Sequence, residues 1–270
     1  SFVGSLAPSE AHPFVALNTA LASDGLIVRC SRGAVIDRPI HIAIITDVRN
    51  ENRLATPRIV VMADEGSAID IVESHHTMGS NTALDITVAE IDVCANAHVR
   101  YHRILDDGDA LRQIGQTSAT VAKDGRFTSH AVNIGGAFVR NDLAVRLAEP
   151  SAETYLYGVS VLDGREYADN HTVVDHTVPH CHSEELYKGI YDGQSTGVFN
   201  GKIYVRPQAQ KTTAYQSSHS ILVSDKAQMN AKPQLEIWAD DVKCSHGATT
   251  GQLNDDAIFY LRARGLDAAK

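Results

Sequence analysis

Small and turn-forming residues recur along this chain at a nearly constant interval. They open Ser67-Ala68-Ile69-Asp70-Ile71, Asn96-Ala97-His98-Val99-Arg100, Gly125-Arg126-Phe127-Thr128, Ser151-Ala152-Glu153-Thr154-Tyr155, His180-Cys181-His182-Ser183 and Gln208-Ala209-Gln210-Lys211. Counted through Ala68, Ala97, Arg126, Ala152, Cys181 and Ala209, the spacing stays at roughly 26 to 29 residues, inside the window of repeat architectures. Between these points lie runs rich in Ile, Val, Thr and Tyr with no helical period. A unit of that length holds two or three short strands, too few to bury a face alone, so neighbouring units must stack and pair in parallel. The expected fold is all-β, a parallel β-helix with short helical pieces at both ends. An antiparallel sandwich remains open at this point, because Asp24-Gly25, Asp107-Gly108, Asp124-Gly125, Asp163-Gly164 and Asp192-Gly193 are all hairpin-type dipeptides.

The repeat also suggests the domain plan. Residues 1–36 form a helical and β region, residues 37–252 the β-helix core, and residues 253–270 the start of a C-terminal helical region. Within the first, residues 13–22 predict a short helix, with Phe14, Leu17 and Leu21 on one face and Pro13 in the first turn, where its missing N–H does no harm. Residues 25–30, 34–37 and 39–46 are rich in β formers, and Ser31-Arg32-Gly33 marks a hairpin or tight corner. At the far end, Asn254 or Asp255 caps a helix carrying Ala257, Ile258 and Leu261, and Gly265 suits its left-handed end. Residues 266–270 would open another helix. A chain that begins at Ser1 and stops there has the look of a core taken from a longer protein.

Composition excludes several classes. With 270 residues, 43% of them apolar, the chain can bury a large core without covalent staples. Its four cysteines, Cys30, Cys94, Cys181 and Cys244, form no CxxC pair, which argues against a zinc ribbon or a disulfide scaffold and fits a reducing compartment. A formal charge of −9 with scattered arginines makes nucleic acid an unsuitable partner. No apolar run approaches the roughly 20 residues of a membrane span, and no signal peptide opens the chain.

The candidate chemistry is concentrated near the C-terminus. Cys244 and His246 stand two residues apart, so an extended backbone points both to one face, about 7 Å apart. Thiolate and imidazole suit iron, copper and zinc, but two ligands do not close a site. The bland alternative is a buried thiol beside a satisfied histidine. A second histidine-rich run, residues 169–182, offers His171, His176 and Cys181 as weaker metal candidates, against a plain reading as polar strand positions with Pro179 at a corner. His75-His76 and His98 to His102 look like ordinary strand histidines, and Cys30 and Cys94 like small packing residues. The chain lacks GxSxG, HExxH and a phosphate-cradling glycine loop. A carbohydrate-active β-helix enzyme would need paired carboxylates such as Asp169 and Asp175, together with aromatic platforms, and the chain has one tryptophan, Trp238.

Pro233-Gln234-Leu235-Glu236-Ile237, Ala239-Asp240-Asp241-Val242-Lys243-Cys244-Ser245-His246-Gly247-Ala248-Thr249 and Phe259-Tyr260-Leu261-Arg262 with Arg264-Gly265 closely resemble the C-terminal signature of the SufB/SufD family of iron–sulfur cluster assembly proteins. Leu186-Tyr187-Lys188-Gly189, Gly197-Val198-Phe199-Asn200-Gly201 and Ala209-Gln210-Lys211-Thr212-Thr213 carry the likeness further back, and His12-Pro13-Phe14 with Ala16-Leu17-Asn18 extend it weakly. Ser218 stands where SufB has a cysteine, which places the resemblance on the SufD side. The resemblance implies a right-handed β-helix that pairs with SufB and, through further C-terminal helices, recruits the ATPase SufC. It implies a scaffold subunit that is not an enzyme by itself. Cys244 and His246 would lie near the SufB interface, where a transient iron–sulfur cluster or iron is held with no stably bound cofactor. The implied location is the cytoplasm, or the plastid stroma in a photosynthetic eukaryote. The open edge of such a solenoid also suits a twofold homodimer of the isolated chain.

Overall fold

The computed structural model describes residues 2–10, 12–22, 24–252 and 255–266. Its strands, numbered in chain order, fall into two sheets. One contains β1 (Gly25–Cys30), β3 (Arg53–Ala55), β4 (Arg58–Ala63), β6 (Ala83–Val93), β8 (Leu111–Val121), β10 (Phe138–Leu147), β12 (Tyr167–His176), β14 (Thr196–Val205), β16 (Gln228–Ala231) and β17 (Gln234–Ile237). The other contains β2 (Ile40–Asp47), β5 (Ala68–Met78), β7 (His98–Leu105), β9 (Arg126–Asn133), β11 (Glu153–Leu162), β13 (His182–Tyr191), β15 (Thr212–Leu222) and β18 (Val242–Gln252).

From β4 to β15 the chain alternates between the sheets, so each strand pairs with the one two places on, and every pairing among the described residues is parallel. This is a parallel β-solenoid, and the antiparallel sandwich is excluded. Ala68, His98, Arg126, Glu153, His182, Thr213 and Lys243 are stacked partners, which sets 27 to 31 residues per coil.

The repeat in the sequence arises at one corner of the coil. Gly33, Gly66, Asn96, Asp124, Ser151, His180 and Lys211 all adopt left-handed backbone, with φ between 54° and 69°. Glycine, Asn and Asp enter that region at low steric cost. Of the other three, His180 and Lys211 are held by neighbouring coils: His180 N donates to Gln210 O at 2.9 Å, and Lys211 N to Asp241 O at 2.6 Å. The Asp-Gly dipeptides belong to corners as well; at the opposite side Gln194 N donates to Gly164 O at 2.6 Å, linking the Asp163-Gly164 and Asp192-Gly193 corners.

Inward residues of the two sheets meet in a core containing Ile71, Ile91, Val121, Phe127, Leu147, Leu156, Phe199 and Ile203. The alternation is clean in β14, where every second side chain is buried.

The helix α1 (Pro13–Leu21) forms where expected, with His12 as N-cap, its Nδ1 accepting from Phe14 N at 3.3 Å. Its buried face differs from the one the sequence suggests. Leu17 and Leu21 are exposed and Phe14 is half-buried, while Val15 and Asn18 are buried. The reason is polar: Asn18 Nδ2 donates to Pro57 O and Ile86 O, and its Oδ1 accepts from Arg58, which pairs in turn with Glu90 at 2.7 Å. Glu90 also accepts from the backbone of Gly4, Leu6 and Ala7, so one carboxylate ties the N-terminal arm onto the solenoid.

At the other end α2 (Asp255–Ala263) closes on Gly265, which has φ +88°. Ile258 is half-buried and Leu261 exposed, so the expected apolar face has no cover over Leu261. Asn254, the side chains of Asp255 and Ala257, and residues 267–270 lie outside what the structure describes.

Candidate functional site at the open coil

β18 is the last strand of its sheet and pairs with β15 alone. On the opposite sheet β16 and β17 lie against β14 as β18 lies against β15, so the three strands form the terminal coil, and among the described residues no further coil stacks on it. Partners of β18 on β15 are buried: Ala214 faces Cys244, Gln216 faces His246, and Ser218 faces Ala248. Cys244 is half-buried against the core, whereas residues 245–252 are all exposed. Among the described residues the solenoid therefore ends as a terminal coil open on its outer side, and the inward side of β18 carries Cys244 and His246, as their spacing predicts. Burial pushes the Cys244 thiol above its ordinary value, with an opposing contribution from the Ala214 backbone N–H. Metal binding there requires that the thiol give up its proton.

The other candidates are dispersed. His171 and His176 are five apart on β12 and point to opposite faces. His171 is outward, its Nε2 2.8 Å from Asp169. His176 is buried, its Nε2 lies 2.9 Å from Ser183 Oγ, and burial lowers its pKa to about 4, leaving it neutral. Cys181 is buried at the corner, with Sγ 3.5 Å from Glu149 O, and burial raises its thiol to about 11. Among the described residues no three His, Cys, Asp or Glu side chains converge as a metal-holding group. The terminal coil places one thiol and one imidazole, Cys244 and His246, on the same side of β18.

Immediately beneath the open coil the interior is polar. Glu185 on β13 is the stacked partner of Gln216 on β15, which is the stacked partner of His246. Glu185 Oε2 accepts from Thr172 Oγ1 at 2.6 Å and from Gln216 Nε2 at 3.2 Å. Its Oε1 and the Oε1 of Gln216 are buried with no partner. Burial without a neighbouring cation pushes the Glu185 carboxyl up to about 7, and the two hydrogen bonds only partly oppose it.

A second polar cluster sits inside the first coils, and sequence reasoning missed it. His75, taken for an ordinary strand histidine, is fully buried, with Nε2 2.7 Å from Glu73 and Nδ1 3.2 Å from Asp85. Arg103 donates to Glu73, Thr117 and Asn141, and Tyr101 bonds to Glu73. Burial would raise Glu73, but the Arg103 charge and the bonds from His75 and Tyr101 outweigh it and hold the carboxyl near 2. Burial would lower His75, but its two carboxylates outweigh it, and the imidazole is raised. Counting strand alternation onward from Ile69 and Ile71 would have placed Glu73 and His75 inside.

Asp169 and Asp175 are six residues apart on one strand, about 20 Å by strand rise. Glycosidase carboxylates stand about 5 to 10 Å apart. Each is already held, Asp169 by Arg140 and Asp175 by Arg206, so the carbohydrate-active alternative fails on geometry.

Comparison with known proteins gives one consistent result. The profile described as SUF system FeS cluster assembly, SufBD core domain, matches residues 45–270, and that of the SufBD protein N-terminal region matches residues 1–42. An iron–sulfur cluster assembly SufBD family protein of Synechocystis is 34% identical over 94% of this chain and 58% of its own length. The iron–sulfur cluster assembly protein SufD of Escherichia coli is 31% identical over 96% of this chain and 62% of its own length. The chloroplastic protein ABCI7 of Arabidopsis thaliana is 30% identical over 94% and 55%. The chain thus spans little more than half the length of these relatives. It belongs to the SufBD family of iron–sulfur cluster assembly proteins.

Proposed function

We propose that this chain is a non-enzymatic scaffold subunit of iron–sulfur cluster assembly, working through the open coil at β18. The observation that carries this reading is the pairing of two exposed features in one place: an unpaired parallel strand edge, and a thiol with an imidazole on its inward side. A free edge is a template for strand addition by a second chain. A partner of SufB type docking there would cover the terminal coil and bring further ligands to Cys244 and His246, which alone cannot enclose iron. The iron or nascent cluster is cargo passing through this shared site. Recruitment of an ATPase of SufC type is assigned to the longer protein. No helix of the described residues is long and apolar enough to cross a membrane, in keeping with a scaffold that meets its partners in aqueous solution.

The test uses the full-length protein reconstituted with its SufB-type and SufC-type partners without oxygen. Cluster formation followed by visible absorbance is expected to fall at least tenfold with His246→Ala while the complex still copurifies. Undiminished formation removes His246 from the site.

A further inference from the structure

The open-coil reading leaves one buried acid unexplained. Glu185 lies two strands from His246, about 10 Å by strand spacing, with the side chain of Gln216 on the strand between them. Unlike Glu73 and Glu90, which are paired with Arg103 and Arg58, Glu185 has no cationic partner among the described residues. The inward side chains near it on β12, β14 and β15 are Thr172, Phe199 and Gln216, none of which titrates. On its own strand the one titratable inward neighbour is Tyr187, whose hydroxyl is raised by burial and then by the charge of Glu185. Two carboxyl and amide oxygens, Glu185 Oε1 and Gln216 Oε1, remain unbonded in a fully buried place. Buried polar atoms are normally satisfied, and an orphaned pair in register with an open coordination site marks a place for charge to change.

We propose that Glu185 is the internal counter-charge of the open-coil site, losing its proton when a divalent cation is held by Cys244 and His246. This rests on the reading of that site given above. The step is a simple ionisation: the Glu185 O–H bond breaks, the electron pair stays on the carboxylate, and the proton leaves to solvent past Gln216 through the uncovered end. No bond to the metal forms and no electron moves. Below neutral pH the carboxyl is protonated in an empty site, where an unpaired buried anion is unfavourable, and charged in a loaded one, where the cation stabilises it across the low-dielectric interior. Its pKa near neutrality places the exchange in the physiological range. Gln216 is then a positioning residue, its amide N–H fixing the carboxylate in register with His246.

The experiment is anaerobic calorimetry of ferrous iron binding to the full-length protein in its complex with the SufB-type partner. It is run in two buffers of different ionisation enthalpy, for wild type and Glu185→Gln. The wild type should release about half a proton more per iron than the variant at pH 7, about one more at pH 6, and none more at pH 9. Equal proton counts at pH 6 and 7 with iron binding intact overturn the proposal and leave the site reading standing. Failure of the wild type to bind iron overturns both. If Glu185→Gln does not fold, infrared difference spectra of the wild type decide: iron added at pH 6 should remove a protonated carboxylic acid carbonyl band, and an unchanged band refutes the proposal.

Discussion

His246 and Gln216 are stacked partners on adjacent strands, yet Gln216 is 1% exposed and His246 is open to solvent. The difference comes from stacking: Gln216 is covered by β18, whereas among the described residues no further strand pairs with β18 to cover His246. It separates function from stability at two positions that are equivalent in the coil. His246→Ala should change the stability of the isolated protein by less than about 0.5 kcal/mol, as exposed substitutions do. Gln216→Ala removes a hydrogen bond from buried Glu185 and should cost about 1–3 kcal/mol. Denaturant midpoints of the two variants provide the check.

The Arg58 and Glu90 pair fastens the N-terminal arm and α1 to the solenoid. Removing one partner leaves the other charge buried and unpaired. Arg58→Ala should therefore destabilise by about 3–5 kcal/mol. Limited proteolysis should then cut within residues 2–12 at protease concentrations that leave the wild type intact, while the solenoid beyond β4 resists longer.

Two buried groups give the stability a pH dependence of opposite sign. Glu185 rises from 4.5 to about 7 on folding, so the folded form binds the extra proton; stability is present below pH 4.5 and is lost as pH climbs to 7. By the linkage constant of 1.36 kcal/mol per unit this amounts to about 3 kcal/mol. His176 falls from 6.5 to about 4, so the unfolded form binds the extra proton, and stability is lost as pH drops from 6.5 to 4. The two windows overlap and nearly cancel in the wild type, so in urea unfolding from pH 4 to 8 Glu185→Gln should gain stability relative to wild type as pH rises from 4.5 to 7, and His176→Asn should gain it as pH falls from 6.5 to 4. Parallel curves for wild type and variants would contradict these assignments.

Much of the architecture was legible because the coil corner has its own chemistry. The left-handed positions at Asn96 and Ser151, and the small buried Ala97 and Ala152 beside them, recur at one corner of each coil, so counting them yields the period. The count drifts at Ala209, since the corner residue there is Lys211, a residue type that gives no turn signal. The face of α1 was misjudged because its docking is set by Arg58 and Glu90, distant in sequence, which draw Asn18 inward in place of Leu17.

The site was legible in part. Strand alternation alone puts Cys244 and His246 on one side, and equally puts His171 and His176 on opposite sides. The openness of the coil was not legible, because it depends on β18 being the last strand of its sheet among the described residues, with no further coil stacked on it. The interior polarity was legible only as placement: alternation puts Glu73 and His75 inside, but the partners of Glu73, His75 and Glu185, namely Arg103, Asp85, Thr172 and Gln216, come from other strands.

The claim that the open coil becomes a site only when a second chain covers it is tested most directly by iron binding in three samples. These are the full-length protein alone, its complex with the SufB-type partner, and the complex carrying His246→Ala, each titrated with ferrous iron without oxygen. The account expects weak binding by the protein alone, binding at least tenfold tighter in the complex, and loss of that gain with His246→Ala. Equal affinity in all three samples would contradict it.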